Sequence, residues 1–504
     1  MNQLKPVLSI SFIAGISSIF QFCTNNQNEK SLKLEKLPDA TKSRNVIFIL
    51  SDDHRYDFMG FTGKVPWLET PNMDRLASEG VYCENAFVTT SLSSPSRASI
   101  LTGLYSHTHK IVDNLAPDPG NLTYFPEYLQ EAGYQTGFFG KWHMGDNDDF
   151  PRPGFDHWES FKGQGEYYNP TLNINGKRVK YEDSTYISEL LTKHAIEWLQ
   201  NRDKDKPFFI YLSHKAVHAM FKPAKKDNNK YLNEELIYPP SYDQTKTDEY
   251  KKLKWPEWVK NQRYSWHGVD YMYHGQMDFS LFFKKYCETL LGVDESIGEI
   301  LDFLENEGLD NSTMVIYMGD NGFSFGEHGL IDKRHFYEES VKVPLLVRCP
   351  EIIPGGNTIR KMIQNIDIAP TVLACAGLQS PDYFHGASFL PILQNKKEVQ
   401  WRDKIFYEYY WEYDFPMTPT IHGVRTDRYK YIRYHGLWDR NEFYDLENDP
   451  YEMHNLIDSP EHQELIRQLA EDIYDWLEQT DGMEIPLKRT VKYRWGDYKH
   501  KNQY

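Results

Sequence analysis

The sequence predicts an α/β protein: a large, mostly parallel sheet sandwiched by helices, with a smaller carboxyl-terminal antiparallel sheet plus helix. Three observations predict it. Apolar runs at Asn45 to Leu50, Gln135 to Phe139, Pro207 to Leu212, Thr313 to Met318 and Val343 to Val347 have the length and unbroken hydrophobicity of buried strands. Helical stretches lie between them, at Pro126 to Ala132, Ser184 to Gln200 and Tyr286 to Glu307. That alternation is the mark of a parallel sheet covered on both faces. Near residue 400 the texture changes: Lys404 to Tyr410 and Thr420 to Tyr434 are aromatic and alternating, Glu442 to Tyr444 follows, and Pro460 to Gln479 reads as a helix.

The composition supports a large packed core, with 40% hydrophobic and 15% aromatic residues among 504. No internal repeat or low-complexity tract interrupts it. Net charge is −17, from 56 basic against 73 acidic residues. This excludes non-specific nucleic-acid binding, which needs a basic footprint. It does not exclude a small anion, because a few converging cations suffice to hold one.

The chain divides into 1–22, 23–42, 43–398 and 399–504. Met1 to Phe22 has one Lys and then an apolar, Ser-dotted run from Val7, the form of an export signal and shorter than a membrane span. Cys23 follows, at the place of a bacterial lipid-acceptor Cys, although Phe22 departs from the usual small residue. The sequence leaves lipidation at Cys23 and simple release as alternatives. The expected location is the periplasm, or the outer membrane of a Gram-negative bacterium through a lipid anchor. Residues 23–42 read as a linker, 43–398 as the catalytic part, and 399–504 as an α+β subdomain with its tail. Cys83, Cys287, Cys349 and Cys375 are widely spaced, which argues against a zinc site. Single buried thiols are the better reading, with a Cys349–Cys375 disulfide left open.

The strand ends carry the chemistry. Asp52 and Asp53 follow the first apolar run, Lys141 and His143 the second, His214, Lys215 and His218 the third, Asp320 and Asn321 the fourth. In open α/β sheets, ligands bind beyond the carboxyl ends of strands, so these distant residues are expected to converge. Adjacent acids such as Asp52-Asp53 are costly without a cation. The segment Ser93-Ser94-Pro95-Ser96-Arg97-Ala98-Ser99-Ile100-Leu101-Thr102-Gly103 reads as a helix with Pro in its first turn and Gly at its end. Ser93 then lies at the helix N-terminus, where anions are favoured.

That segment resembles the signature of the formylglycine-dependent sulfatases of the alkaline phosphatase superfamily, matched at Ser93, Pro95, Ser96, Arg97, Thr102 and Gly103. The similarity spans roughly residues 43 to 480. It implies that Ser93 is oxidised to formylglycine by a radical-SAM maturase, as in serine-type bacterial sulfatases. It implies a Ca²⁺ ion on Asp52, Asp53, Asp320, Asn321 and residue 93. Arg97, Lys141, His143, His218 and Lys333 are the implied sulfate-handling residues, with His143 on the formylglycine and His218 as acid for the leaving oxygen. Val217 replaces a Pro of the family's Lys-x-Pro-His element. His214 and Lys215 stay unassigned.

Tyr167 to Lys177, Asp332-Lys333-Arg334 and Val343 to Arg348 look like the corresponding stretches of glucosamine-6-sulfatases. The implied substrate is 6-O-sulfated N-acetylglucosamine at the end of a glycosaminoglycan or mucin chain. His422, Trp438 and Arg440 are expected sugar contacts. The rival readings are a galactose or uronic-acid sulfatase, a formylglycine phosphonate or phosphate-ester hydrolase, and a glycan-binding surface lipoprotein.

Overall fold

The structure is a computed structural model and describes residues 32–38, 42–145, 148–242, 252–272, 278–413, 415–436 and 439–486. The apolar leader, Cys23 and Trp438 lie outside them. Ten strands form the main sheet: β1 Asn45–Ser51, β2 Val81–Cys83, β3 Gln135–Lys141, β4 His157–Phe161, β5 Thr171–Ile174, β6 Lys177–Lys180, β7 Phe208–Ser213, β8 Thr313–Gly319, β9 Leu345–Arg348 and β10 Asn357–Ile359. Their order is β10-β2-β9-β8-β1-β7-β3-β4-β5-β6. The central five, from β8 to β4, are all parallel. In β7 and β8 every residue is buried, which explains why these runs show no polar alternation: both faces are covered.

Among the covering helices are α1 Pro71–Glu79, α2 Ser93–Thr102, α3 Ile187–Gln200 and α4 Phe279–Asn306. Asp278 caps α4, its side chain accepting from the Leu281 N–H at 3.2 Å. One face of α4, including Tyr286, Leu290, Val293, Ile297 and Ile300, is fully buried. Asp294 of α4 also caps α1, accepting the backbone N–H of Asn72 at 3.0 Å and of Met73 at 2.8 Å.

The smaller sheet runs β11 Lys404–Tyr409, β12 Thr420–Thr426, β13 Tyr429–His435 and β14 Glu442–Asp445, antiparallel throughout. Thr420 to Tyr434 is therefore two strands and not one. The chain reverses at Asp427-Arg428, where Arg428 is held by Asp445 at 2.9 and 2.7 Å. Helix α5, Gln463–Gln479, lays Ile466, Leu469, Ile473, Trp476 and Leu477 on this sheet, and Tyr105 and Ile366 from the larger part complete that core. The described residues from Lys33 onward form one compact unit. Cys83, Cys287, Cys349 and Cys375 are buried free thiols, so Cys349 and Cys375 are not bridged.

Candidate active site

Register brings the site together. Leu50 of β1 pairs with Met318 of β8 and with Ser213 of β7, and Ser213 pairs with Gly140 of β3. Asp52, Asp320, Lys141 and His214 thus leave the sheet within two residues of one line across four strands. Two further backbone bonds tighten the edge: Asp320 N–H donates to Ser51 C=O at 2.9 Å, and Asp52 N–H to Ala216 C=O at 2.8 Å. Asp53 then turns sharply, with φ of 54°, and its N–H donates to Asp320 Oδ1 at 2.9 Å. A left-handed non-glycine residue costs about 1–3 kcal/mol and persists only where its surroundings enforce it.

Carboxylate oxygens of Asp52, Asp53 and Asp320 lie within 4.8 Å of one another, all buried. Three cations face them. Lys141 pairs with Asp52, Lys333 with Asp53, and Arg97 holds Asp320 Oδ2 through Nε at 3.0 Å and Nη2 at 2.8 Å. Burial pushes the Asp53 carboxyl up to about 7 against the pull of Lys333, with Asp52 and Asp320 adding repulsion. Burial and Asp52 also raise Asp320, against Arg97. Asp52 goes the other way: burial opposes it, but Lys141, His218 and Arg97 hold it well below the usual carboxylate range.

These acids have room for more positive charge. Asn321 completes the donor set: its Nδ2 donates to Asp53 Oδ1 at 2.7 Å, while its buried Oδ1 takes no hydrogen bond among the described residues. Three carboxylates and an orphaned amide oxygen, all hard donors, fit a divalent cation such as Ca²⁺. When bound there, such an ion would polarise the oxygens of an anionic ester and favour an ionised oxygen on residue 93.

Ser93 is the first residue of α2 and wholly buried. Its Oγ donates to Asp52 Oδ1 at 3.1 Å. Gly103, φ 67°, closes the helix in the left-handed conformation. One turn in, Arg97 reaches back; its Nη1 donates to Lys141 C=O at 2.9 Å and Ser213 Oγ at 2.6 Å. Lys141 is aimed by Gly140, whose φ is 115° and where a Cβ would sit 1.9 Å from Ser213 C=O. His143 has φ 62° and its Nδ1 lies 3.4 Å from Ser94 Oγ. His218 donates Nδ1–H to Ala219 C=O at 2.6 Å, leaving Nε2 turned to Asp53 Oδ2 at 3.9 Å. Burial and nearby ammonium groups hold both imidazoles well below their ordinary range.

Gln164 was not foreseen: Lys141 Nζ donates to its Oε1 at 2.6 Å and its Nε2 meets His143 Nε2 at 3.1 Å. Tyr167 donates to His218 C=O at 2.7 Å and stacks under Lys215, whose Nζ lies 4.6 Å from the ring centroid. Burial, with Lys141 nearby, pulls Lys215 down to about 7. His214 is a core residue, bonded to Ser296 Oγ at 3.0 Å and pushed by burial to about 4. Of the expected sugar contacts, His422 and Arg440 have partners outside this cluster. His422 is buried in β12 against His435 at 2.9 Å, and Arg440 is paired with Asp458 at 2.8 Å on the surface.

A buried hydroxyl beside three clustered acids and the cations Lys141, Lys333 and Arg97 suits cleavage of an ester whose acid part is a fixed anion. By fold and site the protein is a hydrolase of anionic esters whose three buried carboxylates fit a metal ion. The family profile described as Sulfatase matches residues 44–378, and that described as N-sulphoglucosamine sulphohydrolase, C-terminal, matches residues 326–479. The chain belongs to the sulfatase family and is a sulfuric ester hydrolase. It is 32% identical to an N-acetylglucosamine-6-O-sulfatase of Bacteroides thetaiotaomicron, over 94% of this chain and 91% of that protein. It is 30% identical to the N-acetylglucosamine-6-sulfatase of Homo sapiens, over 73% of this chain and 68% of that one. A solved structure in complex with its substrate, D-glucosamine-2-N,6-O-disulfate, superposes with a TM-score of 0.76 at 31% identity, covering 89% of this chain and 100% of that chain.

Proposed function

We propose that the protein is an exported, exo-acting sulfatase that removes the 6-O-sulfate of N-acetylglucosamine, or a related glucosamine, from glycosaminoglycan or mucin glycans. The observation that carries the reaction is Ser93 Oγ at 3.1 Å from Asp52 within the three-carboxylate cluster. The named substrates of the bacterial and human relatives support the sugar. In this reading a radical-SAM maturase removes two hydrogens from Ser93, the resulting aldehyde hydrates, and Ca²⁺ occupies the acidic cluster.

A plain serine is a weak nucleophile; a hydrated aldehyde offers two hydroxyls on one carbon. Residue 93 attacks sulfur through one of them, in line with the sugar oxygen. The bond from sulfur to the sugar breaks, and the sugar oxygen takes a proton. The second hydroxyl then loses its proton, the aldehyde re-forms, and sulfate leaves with the attacking oxygen. Arg97, Lys141 and Lys333 supply fixed positive charge for the sulfate oxygens. The resemblance gives the proton to His218, a role that needs Nε2 protonated and that burial and the neighbouring ammonium groups oppose. A second reading, favoured by its value near 7, gives that proton to Lys215.

The test is desulfation of a panel by protein matured in a compatible host: 6-sulfated N-acetylglucosamine, galactose 6-sulfate and a sulfated uronic acid, plus an aryl sulfate and an aryl phosphate. Mass spectrometry of the peptide spanning Ser93 is read alongside. Preference for the glucosamine ester, with residue 93 lighter by two hydrogens, is expected. Faster cleavage of the phosphate, or an unmodified but active Ser93, overturns the proposal. Loss of the rate's basic limb in Lys215→Met but not in His218→Gln assigns the acid to Lys215.

A further inference from the structure

The amide of Gln164 stands between Lys141 and His143, and chemistry allows it only one orientation there. Gln164 lies in the connection from β4 to β5, between Gly163 with φ of 54° and Gly165 with φ of 63°. A Cβ on Gly165 would meet the Phe161 ring at 2.4 Å, so the chain folds back closely on the end of β4. Phe161 is the register partner of Lys141, the last residue of β3. The fold-back therefore carries the Gln164 side chain to the end of β3. Gln164 is half-buried there, while Lys141 and His143 are 1% and 2% exposed.

An ammonium group donates hydrogen bonds and accepts none. The end of Gln164 that meets Lys141 Nζ, at 2.6 Å, must therefore be Oε1. That turns the amide NH₂ to His143 Nε2, at 3.1 Å. An amide nitrogen donates only, so His143 Nε2 must accept with a lone pair and carries no proton. The single proton of the neutral ring is then on Nδ1, which faces Ser94 Oγ at 3.4 Å. Ser94 Oγ gives its own proton to the His143 C=O and is left as an acceptor. A second ring proton, at Nε2, would point at the amide hydrogens. Donor and acceptor thus alternate without conflict from Asp52 through Lys141, Gln164 and His143 to Ser94, the neighbour of residue 93.

The same contact orients Lys141. Its ammonium has three N–H bonds; Asp52 takes one and Gln164 a second, which leaves one for an oxygen of the ester. With Asp52 alone the ammonium could turn about that contact, and a second fixed acceptor removes the freedom.

We propose that Gln164 is a positioning residue: it fixes His143 as the neutral Nδ1–H tautomer and aims Lys141 at the sulfate. His143 then serves as a hydrogen-bond donor on the α2 side of the site, and neither as a base nor as a positive charge. The effect on turnover rests on the catalytic reading above, whereas the tautomer does not.

The test is ¹⁵N NMR of histidine-labelled full-length protein carrying unmodified Ser93, with Ca²⁺ added, near pH 7. Parent, Gln164→Glu and Gln164→Met are compared, and the His143 signals are identified by their absence in His143→Gln. Protonated and bare ring nitrogens resonate far apart. In the parent, Nδ1 is expected to carry the proton and Nε2 none. Gln164→Glu keeps an acceptor for Lys141 but offers His143 no N–H, so a proton should appear on Nε2. Gln164→Met offers neither group, and both tautomers should be seen. Turnover of an aryl sulfate by the matured variants should fall about tenfold or more. The proposal is overturned if the parent carries a proton on Nε2, if Nε2 stays bare in Gln164→Glu, or if neither variant loses about tenfold in turnover. Should Gln164→Glu fail to fold, the parent's single tautomer persisting in Gln164→Met overturns it instead. A matured parent that cleaves no aryl sulfate sinks the catalytic reading, and the spectra then decide the role of Gln164 by themselves.

Discussion

Arg97→Ala tests the electrostatic account of the site most sharply. Arg97 is 1% exposed and is the guanidinium that holds Asp320, through contacts of 3.0 and 2.8 Å. Truncation leaves Asp320 buried beside Asp52 with its counter-charge gone. The Nε hydrogen bond to the charged carboxylate contributes about 1.5–3 kcal/mol, and the Nη2 contact adds ion-pair attraction. Breaking a buried pair from one side costs about 3–5 kcal/mol, the loss expected here. Urea unfolding should register this loss when a chelator is present. Added Ca²⁺ should return part of it, because the ion supplies charge that Arg97 no longer does. Arg97→Lys should recover little: one ammonium cannot reach Asp320, the Lys141 carbonyl and Ser213 Oγ together. Activity of matured Arg97→Ala should fall at least about 100-fold. A loss below about 1 kcal/mol, or equal losses with and without Ca²⁺, would refute the reasoning.

Three further outcomes follow from the same structure. Asn321→Ala removes the orphaned amide oxygen, so the concentration of Ca²⁺ needed for half-maximal thermal stabilisation should rise about tenfold or more; an unchanged midpoint would exclude Asn321 as a ligand. Gly140→Ala forces a Cβ to within 1.9 Å of the Ser213 carbonyl at φ 115°, and should cut turnover as Lys141 is displaced, while Gly436→Ala, with nothing near its Cβ, should leave turnover intact. The buried His107–Glu408 pair, 2.8 Å apart, gives a pH signature. Burial opposes it, but His107 draws Glu408 down to about 2, a contribution present above the ordinary glutamate range near 4.5 and lost as pH falls towards 2. His107 is raised above 6.5 by Glu408, against burial, a contribution complete below 6.5 and lost as pH rises through the raised value. The stability difference between the parent and Glu408→Gln should therefore peak between about pH 4.5 and 6.5, read by melting across pH.

Much of the site is legible because its residues sit at strand ends. A run such as Thr313 to Met318 announces its own strand, and Asp320 and Asn321 must then emerge at the carboxyl edge. Gln164 and Tyr167 carry no such signal. Each acts by meeting a partner 23 or 51 residues away in sequence, and a lone Gln or Tyr has no local pattern that predicts that partner. One missed element did announce itself. Asn175-Gly176, with φ of 50° and 86°, makes the tight turn between β5 and β6, a strong hairpin signal. β6 is exposed at all four positions and edged with lysine and arginine, so no apolar run marks it. His422 misled because an aromatic, polar-tipped residue on an alternating strand looks the same whether it faces a ligand or a neighbouring strand. Here it faces His435.

All ten residues of α2 are buried, residue 93 among them. A folded molecule therefore presents no handle to any second enzyme that must reach the β-carbon of that residue. If residue 93 is oxidised as proposed, the maturase must act while the chain is still extended. The yield of competent enzyme is then decided by a race between two rates during biosynthesis, and incubating purified protein with a maturase afterwards comes too late.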